Sequence, residues 1–264
     1  MGTKRAIGLI CTCIALAGGV VIMALDHPDW WMEELPTVYP LTADLAEHAA
    51  RVRSPVAFDR RGNVVFLSRF AHGTGQFELK PVGNKATLAL TPDTFLSGPF
   101  SLKMVTSDVS NEVSTASALI AIPNSTTWLG SETGVAFTDV EVGFALQISA
   151  YMKPTLYQWT LVYRTDQDRL FIVSPTGAGI LDDSLVLHAG KQVWHRMKLV
   201  IDLENKEYIR VLLDEDEWDV SDYAAYEYPT SEPRRIDIRL QGYCRDNTNR
   251  DIQWDDVIVT QNEP

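Results

Sequence analysis

Residues 140–151 read VEVGFALQISAY. Val140, Val142, Phe144, Leu146 and Ile148 share one parity; Glu141, Gly143, Gln147 and Ser149 share the other. Successive side chains of a strand point to opposite faces, so this spacing predicts a strand with one buried and one wet face. A one-residue slip would turn the whole apolar row outward, which sets the register firmly.

Working outward, the same period of two recurs on both sides. Strands are expected at 64–70, 76–80, 86–90, 100–106 and 113–122, then at 135–151 around the quoted stretch. Further strands are expected at 156–164, 169–173, 193–203, 207–213, 218–220, 235–243 and 252–260. Turn residues separate them, among them Pro81, Gly83 and Asn84, Gly98 and Pro99, and the acidic bend 214–217. These connections are too short for parallel crossovers, so the pairing must be antiparallel. The fold class is all-β, an antiparallel jelly-roll sandwich over residues 63–264.

The first 62 residues follow other rules. Lys4 and Arg5 precede an uncharged apolar run at 6–25, and Asp26, Asp29, Glu33 and Glu34 follow it. Such flanks fit a membrane span with its N-terminus inside, or a secretory signal cleaved near Ala15-Leu16-Ala17. Gly18-Gly19 between β-favouring stretches makes a β-hairpin arm the next reading, and an ordinary buried helix the last. Residues 1–40 therefore form an apolar segment and connector, the latter carrying Trp30-Trp31. Residues 41–62 read as a short helix and linker: Thr42 caps it, Leu41, Leu45, Ala49 and Val52 line one side, and Pro55 ends it.

The chain has 264 residues, of which 45% are hydrophobic and 22% charged, enough for a core and too ordered a mixture for a disordered tail. Its net charge of -12 repels phosphate backbones and argues against nucleic acid as a partner. Cys11, Cys13 and Cys244 form no metal or redox spacing and read as small hydrophobes. No phosphate-cradling glycine loop, nucleophile elbow or HExxH occurs, and the five histidines are scattered. No cofactor and no metal are expected.

Several stretches resemble a known family. Trp194 to Asp202 followed by Tyr208 to Leu213 resembles a hairpin of concanavalin A-like and laminin-G-like sandwiches. Ile252-Gln253-Trp254-Asp255-Asp256-Val257-Ile258 resembles the closing strand of carbohydrate-binding-module-like jelly rolls, and 64–70 with Gly73 their opening strand. Ser97-Gly98-Pro99-Phe100-Ser101-Leu102-Lys103 resembles another of their strands. The likeness covers 62–261 and extends to bacterial and phage-type proteins built on this sandwich. It implies the fold, and fold analogy alone licenses no activity.

The same resemblance implies a structural calcium held by acidic residues near the first strand and an aspartate at the position of Asp256. Here Arg69 stands among those positions, and a hard cation needs several anionic oxygens. The expectation is an ion pair of Arg69 with Asp255 or Asp256 in place of the metal. Glucanases of this architecture carry Glu-x-Asp-x-x-Glu on one strand. The nearest match, Glu217-x-Asp219-x-x-Asp222, ends in the wrong residue and reads as a solvated bend, so no catalytic residue is expected.

Aromatic residues remain as a binding signal. Tyr157, Trp159 and Tyr163 share a strand parity; exposed, they would stack sugar rings, and buried, they would be core. Tyr151, Arg164 and Asp166 would supply hydrogen bonds at one end of that face. Tyr223, Tyr226 and Tyr228 form a second aromatic cluster read as a loop. The reading reached from sequence is a non-catalytic binding or adhesion module for glycan or protein, at the cell surface or outside it. The alternatives are a structural subunit assembling through residues 1–40, as in a virion-like particle, and, more distantly, a glycoside hydrolase.

Overall fold

The computed structural model describes residues 61–122 and 127–264. The expected helix, the apolar run at 6–25 and the arm at 1–40 lie outside those residues. Sixteen strands form two antiparallel eight-stranded sheets. The first sheet contains β1 (Asn63–Ser68), β3 (Thr87–Thr91), β4 (Ser101–Val105), β6 (Trp128–Phe137), β11 (His195–Asp202), β12 (Glu207–Leu213), β13 (Asp216–Asp219) and β16 (Asp251–Gln261). Its order is β13-β12-β11-β6-β16-β4-β3, with β1 also paired to β16. The second contains β2 (Phe77–Lys80), β5 (Ser114–Ile120), β7 (Val142–Met152), β8 (Thr155–Arg164), β9 (Arg169–Ser174), β10 (Gly177–Asp182), β14 (Tyr226–Pro229) and β15 (Arg235–Cys244). Its order is β10-β9-β8-β7-β15-β5-β2, with β14 also paired to β8.

The quoted stretch is the centre of the second sheet. Val142, Phe144, Leu146 and Ile148 are completely buried between the sheets, whereas Val140 lies before the strand and is exposed. Phe144 packs edge-on against Trp254 of β16 and tilted against Tyr163 of β8, joining three strands across the core. Aromatic pairs of this kind add about 0.5–1.5 kcal/mol beyond the area they bury.

Buried polar tips are satisfied where the rings cross the core. The Trp159 indole N–H donates to the Glu207 carbonyl at 3.1 Å. The Tyr208 hydroxyl accepts the Thr160 N–H at 2.8 Å and donates to the Val173 carbonyl at 2.6 Å. Tyr163 donates to the Leu185 carbonyl at 2.7 Å, and burial pushes its hydroxyl up to about 12. Each bond ties one sheet to the other or to a connecting loop, so the rings fix the stacking as well as fill it.

Three expectations change. The strand expected over 135–151 is two, β6 and β7, because the chain turns at 138–141. No strand is expected from the sequence at 177–182, but Gly177–Asp182 form β10, paired to β9. The tyrosines at 226 and 228 lie in β14, which adds to the end of β8 that β9 leaves unpaired.

Candidate functional site

The second sheet turns one face to the core and the other outward. Register places Gln147, Ser149 and Tyr151 of β7 on the outward face, opposite Arg239, Asp237 and Arg235 of β15. Across β7, the same three residues face Thr160, Gln158 and Leu156 of β8. Beyond β15, Arg239 faces Ser117 of β5. This is the parity that alternation assigned to water. It is not wet: Gln147 is 5% exposed, Ser149 0%, Asp237 3% and Tyr151 6%. Polar groups withdrawn from water on the open side of a sheet must satisfy one another or await a ligand.

Most satisfy one another. Arg239 stands at the centre: its Nε donates to Asp237 Oδ2 at 2.7 Å and its Nη2 to the Tyr151 hydroxyl at 3.0 Å. The Arg235 guanidinium lies 4.1 Å from the centre of the Tyr151 ring, a cation–π contact that holds the ring flat. Gln241 donates to the Gln147 carbonyl oxygen at 2.8 Å, and Gln147 donates to the Ser149 hydroxyl at 2.9 Å. One atom stands out: Asp237 Oδ1 is buried and has no partner at full hydrogen-bond geometry, although the Ser117 hydroxyl of β5 lies close enough to favour the charged carboxylate. Burial raises the proton affinity of Asp237 above the usual carboxylate range, although the Arg239 charge opposes the rise. The result is a buried carboxyl, a guanidinium and a phenol in one contact network. Perturbed groups gathered this way make the layer the candidate functional site.

At the far end of the same face Tyr243 covers Gly143, where a Cβ would sit 2.1 Å from the ring. Arg164 pairs with Asp166 at 2.7 Å, and Arg245 reaches the same carboxylate at 3.3 Å. Arg164 and Asp166 are thus beside the outward face, as a pair neutralised by each other.

The other residues singled out from sequence lie elsewhere. Trp159 and Tyr163 are completely buried, and Tyr157 packs partly against the same core. They are not a sugar platform, because their parity points between the sheets; the outward parity of β8 is Leu156, Gln158, Thr160, Val162 and Arg164. Asp255 and Asp256 sit at a bulge of β16. Asp255 accepts the N–H groups of Leu96 and Asp256 at 2.8 and 2.9 Å. Asp256 accepts the Ser97 hydroxyl and faces Arg196 of β11 at 3.6 Å. Arg69 reaches Asp256 only as a more distant positive charge, and no ion pair joins it to either aspartate among the described residues. Arg196 occupies the role foreseen for Arg69. Glu217 meets Arg61 at 3.1 Å, and Asp219 caps the turn at Ser221, on an edge strand remote in register from the polar layer.

No protein-family model matches the sequence, and no curated protein matches it. The solved structures are informative about shape. The chain is similar to an endo-β-1,4-glucuronan lyase from the fungus Trichoderma reesei, with a TM-score of 0.55 at 13% identity, over 76% of this chain and 96% of that one. It is also similar to a cellulose-induced protein, Cip1, with a TM-score of 0.52 at 10% identity, over 74% of this chain and 96% of that one. The fold is a concanavalin A-like jelly-roll sandwich.

This likeness corrects the expectation of a non-catalytic protein, and with it the binding or adhesion module. The sandwich spans nearly the whole length of an enzyme, so the architecture gives no ground for excluding catalysis. That expectation rests on the lack of a one-strand carboxylate motif. The polar layer is built instead from adjacent strands that are distant in sequence, and no linear pattern encodes it.

Proposed function

We propose that this protein is a glycan-cleaving enzyme that breaks an acidic polysaccharide by β-elimination, with Asp237, Arg239 and Tyr151 as its active site. The observation that carries the reading is the Arg239 guanidinium bridging one carboxylate and one phenol on an outward sheet face. Two-carboxylate hydrolysis needs a pair of acids about 5–10 Å apart. The central strands β7 and β15 present a single acid on this face, Asp237. An arginine, a base and an acid are what elimination from a uronate requires. The activity of the glucuronan lyase of similar shape supports the same choice.

The roles follow from the contacts. Arg239, a quarter exposed at its side chain, binds the sugar carboxylate through paired N–H donors and neutralises it. Neutralisation acidifies the hydrogen on the carbon next to that carboxylate. Asp237 takes this proton; as Arg239 turns to the substrate it uncovers the buried carboxylate, which loses its partner and becomes the stronger base. The electron pair of the C–H bond becomes a carbon–carbon double bond, and the glycosidic C–O bond breaks. The Tyr151 hydroxyl gives its proton to the leaving oxygen, and water later restores both groups. The products are an unsaturated uronate end and a new reducing end, with no oxidant or cofactor consumed. A polymeric substrate places this activity outside the cell.

The test is incubation of the full chain with β-1,4-linked polyglucuronate and, separately, with a neutral β-glucan, following the ultraviolet absorbance of the conjugated product. Absorbance should rise with the uronate polymer alone. Arg239→Lys, Tyr151→Phe and Asp237→Asn should each lower kcat about a hundredfold or more. Wild-type inactivity on uronate polymers, or variants as active as wild type, would sink the proposal.

A further inference from the structure

Resting on that reading, we infer that Tyr226 and Tyr228 of β14 form a sugar-stacking subsite of the same cleavage site. Tyr226 stands opposite Gln158 and Tyr228 opposite Leu156. Gln158 and Leu156 in turn stand opposite Ser149 and Tyr151. Register therefore puts both tyrosines on the outward face that carries the polar layer. Two strand spacings separate β14 from β7, about 10 Å, within reach of a sugar one or two places along a chain bound at Tyr151.

Their surroundings suit a ligand better than a packing role. Tyr226 is 36% exposed and Tyr228 42%, and all four residues of β14 are exposed. Neither ring belongs to the core cluster or packs against it. The rings stack on each other, 4.9 Å between centres and 21° between planes. Each thus holds its neighbour's orientation while part of its ring surface stays exposed. A pyranose presents an apolar patch of C–H groups that lies on such a face, while the phenol hydroxyls and the Gln158 amide reach its hydroxyls. The tyrosines are uncharged, so the subsite takes the ring of the sugar rather than its carboxylate, complementing Arg239.

The experiment compares wild type, Tyr226→Ala, Tyr228→Ala and the double variant on polyglucuronate and on its oligomers of increasing length. The subsite predicts a KM about tenfold higher for the polymer and long oligomers, an unchanged kcat, and little change for the shortest cleaved oligomer. Product lengths should shift as well. Equal KM values and the same products for all four proteins would overturn it while leaving the elimination reading intact. If wild type cleaves nothing, the elimination reading fails, and affinity electrophoresis in gels containing polyglucuronate decides the subsite separately. Retardation of wild type but not of the double variant would support it; equal mobility would refute it. Unaltered thermal melting of the variants, expected for exposed side chains, certifies that they fold.

Discussion

Asp255 shows how one residue can set the pH response of the whole fold. It is completely buried beside Asp256, and burial followed by that neighbouring charge pushes its carboxyl up to about 7. An unfolded aspartate releases its proton near pH 4. Between those values the folded protein holds a proton that the unfolded chain has lost. The stability from this group is complete below about pH 4 and is lost as pH rises through about 7, by up to about 1.4 kcal/mol per pH unit. His195 acts in the same direction. Burial disfavours its charged ring, but Asp214 at 2.6 Å and the His188 carbonyl at 3.0 Å outweigh that and raise its proton affinity. The melting temperature should therefore fall from about pH 5 to about pH 8. Asp255→Asn should flatten that curve below about pH 7, leaving the fall above it to His195; an unchanged slope there would contradict the assignment. In the core, Trp159→Ala should cost about 3–5 kcal/mol in denaturant unfolding, because a fully buried ring and its bond to Glu207 are lost together.

At the scale of elements, alternation in 140–151 was enough to place β7, to assign its inward row and to predict antiparallel neighbours. It misread the other row. Gln147 and Ser149 look solvent-bound in one strand, and only the register with β8 and β15 shows that they are enclosed. The site was legible only in part for the same reason: Asp237 and Arg239 share a parity with nothing in their own strand to mark them. Glycine hid the rest. β6 contains Gly130 and Gly134, where a Cβ would sit 2.6 Å from Thr260 Oγ1 and Leu96 Cδ2 respectively, so close contact replaces the apolar signal expected of a strand. Gly242 of β15 shows the same across the two sheets, its missing Cβ lying 2.6 Å from Met104 Sδ and 2.7 Å from Ile252 Cδ1 of the facing sheet. Gly242→Ala should push the sheets apart locally and destabilise by about 1–3 kcal/mol. The urea midpoint should drop with an unchanged m-value. A variant as stable as wild type would show that the sheets are less tightly apposed there.

For the whole molecule, the sandwich followed from short strands and short turns, but activity could not, since a shared architecture hosts many chemistries. Net charge adds a constraint of its own. At -12 the protein repels a polyanionic substrate at long range, while Arg235 and Arg239 attract it only nearby. The screening length shrinks from about 30 Å to about 10 Å as ionic strength rises from about 0.01 to about 0.1 M. Cleavage at low substrate concentration should therefore speed up over that range, the reverse of a basic enzyme, as initial rates would reveal. The most direct test of the central claim is the end-group balance in a polyglucuronate digest, counting unsaturated ends against new reducing ends. Elimination at the Asp237–Arg239–Tyr151 layer predicts one unsaturated end for every reducing end, and loss of both in Asp237→Asn. Reducing ends without unsaturation, or cleavage undiminished in that variant, would contradict it.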